Sequence, residues 1–244
     1  MNMKQKLIDA RVSYSNLFWL FMLGNVLGVI LEGVWCFIRH GHWETHVVTI
    51  WGPFCLIYGI GAVGFYLASV LLSGKKILTQ FLAFAVTGIA VEYASSVLLE
   101  YGLHMRAWDY SNHFGNIAGR VSLQMTLIWG ALGILFSYLF VPLLRKLFGL
   151  LQGKPWRIAA VCVTVFMILN ITLTAMCLVR WKDRHEGIPP RNSAEAFIDE
   201  TYPDARMESR FCEWSFLEEE SSGSNDRGQH AEETQESNGK KEKL

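Results

Sequence analysis

The chain has 244 residues, 51% of them hydrophobic, and its 22 basic side chains balance 22 acidic ones. A neutral balance excludes the strongly basic surface that nucleic-acid binding requires. The composition lies at the edge of the soluble range, so the placement of the apolar residues decides the class.

A bilayer core about 30 Å thick is crossed by roughly 20 consecutive apolar residues in a helix. Residues 12–38 hold one charged side chain, Glu32, and residues 47–74 hold none. Residues 77–99 hold only Glu92, while residues 121–144 and 158–179 carry no charge. A soluble helix would place charges at helical period to wet one face. The pattern instead predicts an all-α, polytopic transmembrane helix bundle of about five spans within residues 12–180. The first stretch is too long for the apolar part of a signal peptide, and it ends without a small-residue cleavage site. It is therefore expected to persist as a helix.

Basic residues near span ends set the orientation. Lys4, Lys6 and Arg11 precede the first span, Lys75 and Lys76 occupy the second connection, and Arg145, Lys146, Lys154 and Arg157 occupy the fourth. The first and third connections offer Arg39, Arg106 and Arg120. This bias predicts a multi-pass cell-membrane protein with residues 1–11 in the cytoplasm and connections one and three outside. Arg180, Lys182 and Arg184 follow the fifth span, where an odd helix count places the C-terminus outside, so the side of the tail is left open.

In the tail, Asn192 and Glu195 form a helix N-cap pair, and Pro203 stops the short helix that follows. A polar tail with a short helix is expected over 181–217. Over 218–244 the residues are Glu, Ser, Gly, Gln, Asn and Lys with almost nothing apolar, which predicts disorder. Cys36, Cys55, Cys162 and Cys177 lie in or beside spans and only Cys212 lies in the tail; this argues against a disulfide framework, and the first four are expected to be buried thiols.

An ionisable group at bilayer depth costs on the order of 3 kcal/mol on insertion scales, so Glu32 and Glu92 need an explanation. Gly28 precedes Glu32 by four residues and Gly24 precedes Gly28 by four; Gly88 stands likewise before Glu92, with Ser96 and Glu100 continuing the stripe. Spacing of four keeps these residues on one helix face, and a glycine one turn below a carboxyl admits a neighbouring helix. Two readings are open: a polar site or proton-linked path between helices one and three, or neutral carboxyls hydrogen-bonded as packing glue. The pairs Trp51-Gly52 and Trp129-Gly130 hint that a glutamate-bearing helix followed by a Trp-Gly helix is duplicated in parallel.

The third connection, 101–120, contains Arg106, Trp108, Asp109, Tyr110, Ser111, Asn112, His113, Asn116 and Arg120. Trp108 and Tyr110 suit the membrane–water interface. Arg120 is expected to pair with Asp109 or with a carboxylate of helix three, since charge beside lipid must be neutralised. The first connection holds His40, His42, Glu44 and His46. Its H-x-E-x-H spacing differs from the H-E-x-x-H of metalloproteases, and no metal site is expected there. No phosphate-binding loop, G-x-S-x-G elbow or C-x-x-C pair occurs, so no catalytic residue or cofactor is expected.

Several ordered motifs carry a family resemblance. Trp51-Gly52-Pro53-Phe54-Cys55-Leu56-Ile57-Tyr58-Gly59-Ile60-Gly61 is similar to a G-P-x-x-P-I-Y-G-x-G element, and Glu92-Tyr93-Ala94-Ser95-Ser96-Val97-Leu98-Leu99-Glu100 to an E-Y-x-x-S-x-x-L-E helix. Trp108-Asp109-Tyr110-Ser111 and Asn116-Ile117-Ala118-Gly119-Arg120 resemble W-D-Y-S and N-x-x-G-R, followed by Trp129-Gly130 and a helix-ending proline at Pro142. Over roughly residues 24–144 the chain thus resembles the bacterial membrane family described as Putative ABC-transporter type IV. Leu56 and Ser122 depart from it, standing where a proline and a cysteine are usual. The resemblance implies a permease-like transporter component whose ATPase is a separate chain. Five spans are few for a lone path, so homo-oligomerisation within the lipid is expected. A non-catalytic membrane scaffold or regulator is the alternative, and a membrane-embedded enzyme using Asp109, His113 and Arg120 is a third.

Overall fold

The computed structural model describes residues 12–43 and 46–217. The expected cytoplasmic segment 1–11, Glu44 and the expected disordered stretch 218–244 lie outside the described residues.

Helix α1 spans Tyr14–His40, with the Ser13 side chain accepting from the backbone N–H of Asn16 as N-cap and Gly41 closing the end at φ 79°. Helix α2 spans Leu56–Leu71 and α3 spans Ile77–Leu103. Helices α4, Leu123–Leu135, and α5, Val141–Leu150, are joined without a break by a π-helical turn, Phe136–Phe140. Helix α6 runs from Lys154 to His185. Four of these stretches, including the continuous Leu123–Leu150, are long and apolar enough to cross a membrane, while α2 is shorter at 16 residues. Their outward faces carry exposed Leu31, Ile38, Leu98, Leu143 and Ile168.

Two sequence expectations change in detail. The apolar stretch 47–74 folds as a helix only from Leu56, because Gly52 and Pro53 interrupt it at its start. Pro142 does not end its helix. It cannot donate to the carbonyl four residues back, and the π-turn absorbs the defect, with the Val141 N–H reaching Phe136.

The tail is more structured than one short helix. Helices α7, Ser193–Thr201, and α8, Asp204–Arg210, are followed by strand β2, Ser215–Phe216, which pairs antiparallel with β1, Met105–Arg106, in the third connection. Asn192 caps α7 as expected, accepting from the Glu195 N–H at 2.9 Å. Buried Ile198, Tyr202, Met207, Phe211 and Phe216 make a small core with Met105, Ile50 and Trp181. Connection one, connection three and the tail therefore meet at one end of the bundle. A second core of Leu20, Tyr66, Val70, Val141, Leu144 and Phe148 holds the opposite end.

The basic residues after the fifth span are engaged rather than free. Arg180 is 2% exposed and contacts Asp183 at 3.0 Å and Asp199 at 2.7 Å, and Arg184 reaches Asp199 at 2.5 Å and Asp204 at 2.7 Å. These ion pairs tie the tail to α6.

A pair of carboxyl sites at one end of the bundle

The two intramembrane glutamates are held by the same device. On α1, a Cβ added at Gly28 would lie 2.2 Å from Cγ of Tyr58, so the ring of α2 rests on the α1 backbone one turn below Glu32. From there the Tyr58 hydroxyl donates to Glu32 Oε2 at 2.7 Å. On α3, a Cβ at Gly88 would lie 2.4 Å from Cγ of Trp129, and the indole N–H of this α4 residue donates to Glu92 Oε2 at 2.9 Å. In both cases a glycine four residues before the carboxyl admits an aromatic ring of the next helix, whose polar tip turns up to the acid. The Trp-Gly pairs do not mark matching positions: Tyr58 does for Glu32 what Trp129 does for Glu92. Trp51 lies before α2 and stacks on Phe166, with ring centroids 6.2 Å apart.

Glu92 is 6% exposed and has a second donor, the Tyr110 hydroxyl at 2.9 Å from Oε1. That hydroxyl sits in the third connection, and its acidity is suppressed well beyond the ordinary tyrosine range by burial first, then by Glu92 and Glu32.

The third connection is shaped by its own polar residues. Asp109 Oδ1 accepts from the Ser111 N–H at 2.8 Å and hydroxyl at 2.6 Å, and Oδ2 accepts from Arg106 at 3.3 Å. Chiefly the Ser111 hydroxyl holds the Asp109 carboxyl below its usual range. Asn116 donates to the carbonyls of Ser111 and His113 and accepts from the Gly119 N–H. Gly119 takes φ 68°, and a Cβ there would meet Ser111 Oγ at 2.5 Å, so this turn requires glycine. The folded loop returns Tyr110 to Glu92 and Arg120 to α3.

Of the two partners expected for Arg120, the α3 carboxylate is the one it meets: Nη2 lies 2.7 Å from Glu100 Oε2. Arg120 is 9% exposed, and the rings of Tyr93 and Tyr101 each lie 5.7 Å from its guanidinium carbon. Trp108 donates its indole N–H to the Arg120 carbonyl at 3.0 Å. Glu92 and Tyr110 form one cluster, Glu100, Trp108 and Arg120 a second, and Asp109 and Asn116 serve the loop itself. Glu32 stands apart on α1.

Between α1 and α2 the backbone leaves helical geometry inside the bundle. The Cys55 N–H donates to the Asn25 carbonyl at 3.3 Å, about four turns below the C-terminal end of α1. The Ile50 N–H donates to Thr174 Oγ1 at 2.9 Å, and Asn170 reads both backbone groups of Trp51, accepting from its N–H at 3.1 Å and donating to its carbonyl at 2.9 Å. Arg210 of the tail donates to the Thr49 carbonyl at 2.9 and 2.8 Å and also to that of Gly52. Burial holds this guanidinium's pKa below the usual arginine range.

Sequence reasoning missed Tyr58, Asn170, Thr174, Arg210 and Glu213. Asn170 and Thr174 had a signal, two polar residues four apart in an apolar span. Glu213 had none. It contacts the buried His46 Nε2, and the ligand atoms of Glu32, His46 and Glu213 lie within 4.8 Å of one another. Cys36, one turn above Glu32 on α1, places Sγ 3.7 Å from the same His46 nitrogen.

Comparison with curated proteins gives no match, and comparison with solved structures gives none. The sequence profile of one family covers residues 19–175, a stretch that includes both glycine–glutamate pairs and the whole third connection. The chain belongs to the membrane-protein family described as Putative ABC-transporter type IV.

Proposed function

We propose that the chain is the membrane-embedded, permease-like component of an ABC-type transporter, drawing on an ATPase carried by a separate chain. One observation carries this reading: a stretch of non-helical backbone, Thr49–Cys55, has its polar groups met by side chains of α6, and the half-buried Glu32 and the buried Glu92 are each held by an aromatic donor of the next helix. Irregular backbone at such depth persists only where protein buries it or a polar path meets it, and broken helices of this kind supply cargo sites in transporters. Glu32 and Glu92 would then line or gate the path, with residues 12–180 as the transport unit. Residues 1–11 face the cytoplasm in this reading, and connections one and three face outside together with residues 181–217. Lipid covers the outer faces, and a second copy completes the path.

The test is affinity purification from native membranes in mild detergent, with mass spectrometry of the co-purifying chains. A stoichiometric nucleotide-binding subunit supports the permease reading; recovery without one removes it. A membrane scaffold is the second reading, favoured by the donors that already satisfy both oxygens of Glu92. Under it, Glu92→Gln leaves partner recovery unchanged and no transport phenotype follows.

A further inference from the structure

We infer that Glu32, Cys36, His46 and Glu213 form a binding site for a single zinc-class divalent cation, which clamps the tail to the first span. The inference does not depend on the transport reading.

Three of the donors come from separate parts of the chain: Glu32 from α1, His46 from connection one and Glu213 from the segment between α8 and β2. Their ligand atoms lie within 4.8 Å of one another. A tetrahedral zinc ion with bonds of roughly 2.0–2.3 Å sets its ligand atoms about 3.3–3.8 Å apart. The 3.7 Å between Cys36 Sγ and His46 Nε2 falls in that interval. Cys36 follows Glu32 by four residues, so both side chains rise from one face of α1.

Chemistry narrows the cation. One thiol, one imidazole and two carboxylates suit zinc and its borderline neighbours, whereas calcium and magnesium take sets of oxygen ligands. A cation bound between the two carboxylates relieves their mutual repulsion, a role that a bound metal or a protonated His46 can fill. Glu32 is also oriented from behind, since Tyr58 donates to one of its oxygens and leaves the other for a metal. His46 is 5% exposed and Glu213 35%, so the site is enclosed at its base and reached from the tail face. The H-x-E-x-H spacing of connection one contributes only His46 to this group.

The test uses the full chain, purified in mild detergent and stripped of metal, titrated with Zn2+ against a chromophoric chelator and with Co2+ by absorption. One Zn2+ per chain is expected. Replacing a residue that merely orients a ligand costs 10–100-fold in affinity, so His46→Gln and Glu213→Gln should each weaken binding by more than about tenfold. His42→Ala and His113→Ala should bind as the unaltered chain does. The Co2+ form should show a thiolate charge-transfer band that Cys36→Ser removes. A thermal shift of the unaltered chain on Zn2+ addition supplies a readout that needs no variant. Absence of stoichiometric binding and of that shift overturns the site, as does full affinity in both His46→Gln and Glu213→Gln. Absence of the thiolate band overturns the four-ligand set.

Discussion

Trp129 lies so close over Gly88 that a Cβ added to the glycine would come 2.4 Å from the indole Cγ, and the same indole holds Glu92 through its N–H at 2.9 Å. The glycine therefore fixes where the donor stands, and a packing feature becomes part of a polar site. Gly28 and Tyr58 repeat the relationship for Glu32.

A methyl group at either glycine should consequently disturb both packing and the carboxyl. Gly88→Ala and Gly28→Ala are each expected to lower stability by about 1–3 kcal/mol, the usual cost of overpacking. Gly61 in α2 has nothing within 4 Å of its added Cβ, so Gly61→Ala should be neutral or slightly stabilising. Thermal unfolding in detergent checks this, and equal behaviour of all three variants would remove the role given to the glycines.

The two donors to Glu92 should act together. Tyr110→Phe or Trp129→Phe alone leaves one donor in place and is expected to cost about 1–3 kcal/mol. The double variant leaves a buried carboxyl without either and should cost more than the two together. Unfolding of the single and double variants forms the cycle; strict additivity would mean that the donors do not share one carboxyl.

Arg120 serves Glu100, two tyrosine rings and, through its carbonyl, Trp108. Arg120→Ala strands the half-buried Glu100 and is expected to destabilise by about 1–3 kcal/mol, the usual cost of a stranded polar partner. Arg120→Lys keeps the charge but loses the planar group over the rings, and should cost less than half as much. Membrane expression level and unfolding temperature both read this out. Equal tolerance of Ala and Lys would show that the pair contributes nothing.

The spans, the two glutamates and the third connection were legible because bilayer depth makes charge conspicuous and because turn residues such as Asp109, Asn116 and Gly119 have local jobs. Tyr58 and Trp129 were not legible as donors. Their role depends on which helix lies against Gly28 and Gly88, and that is set by packing across the chain. The tail was underestimated for a similar reason. Its apolar residues Ile198, Tyr202, Met207, Phe211 and Phe216 are too sparse to signal a core alone, and they find one only on Met105 and Trp181. The engagement of Arg180 and Arg184 with the tail was not legible either, because their shared partner Asp199 lies 15–19 residues away.

The tail's attachment should respond to acid in a defined direction. The Asp199 carboxyl is held below its ordinary value of 3.8, chiefly by the hydrogen bond from Arg180. A depressed folded-state pKa contributes stability that is present above the unfolded value and is lost as pH falls through the folded one. Hydrogen exchange over residues 193–210 should stay slow from neutral pH to about 4 and quicken only below it. Asp199→Asn should show the quickened exchange already at neutral pH. Loss of protection in the unaltered chain near pH 6 would assign the attachment to another group.

Asn170 gives the sharpest test of the irregular segment. Its amide is fully buried and satisfies both the N–H and the carbonyl of Trp51, so it does for this backbone what a helical turn would have done. Asn170→Leu fills similar space but leaves the Trp51 N–H unpaired, while the Trp51 carbonyl keeps the Thr49 hydroxyl at 3.0 Å; one such stranded group costs about 1–3 kcal/mol. Asn170→Asp retains the acceptor, lacks the donor and introduces a buried acid, so it should do no better. Thr174→Val removes only the acceptor for the Ile50 N–H and should cost about as much as Asn170→Leu. Unfolding temperature in detergent orders the three variants. If Asn170→Leu is as stable as the unaltered chain, residues 49–55 do not depend on side chains of α6, and the case for a broken helix at the centre of the transport path falls with it.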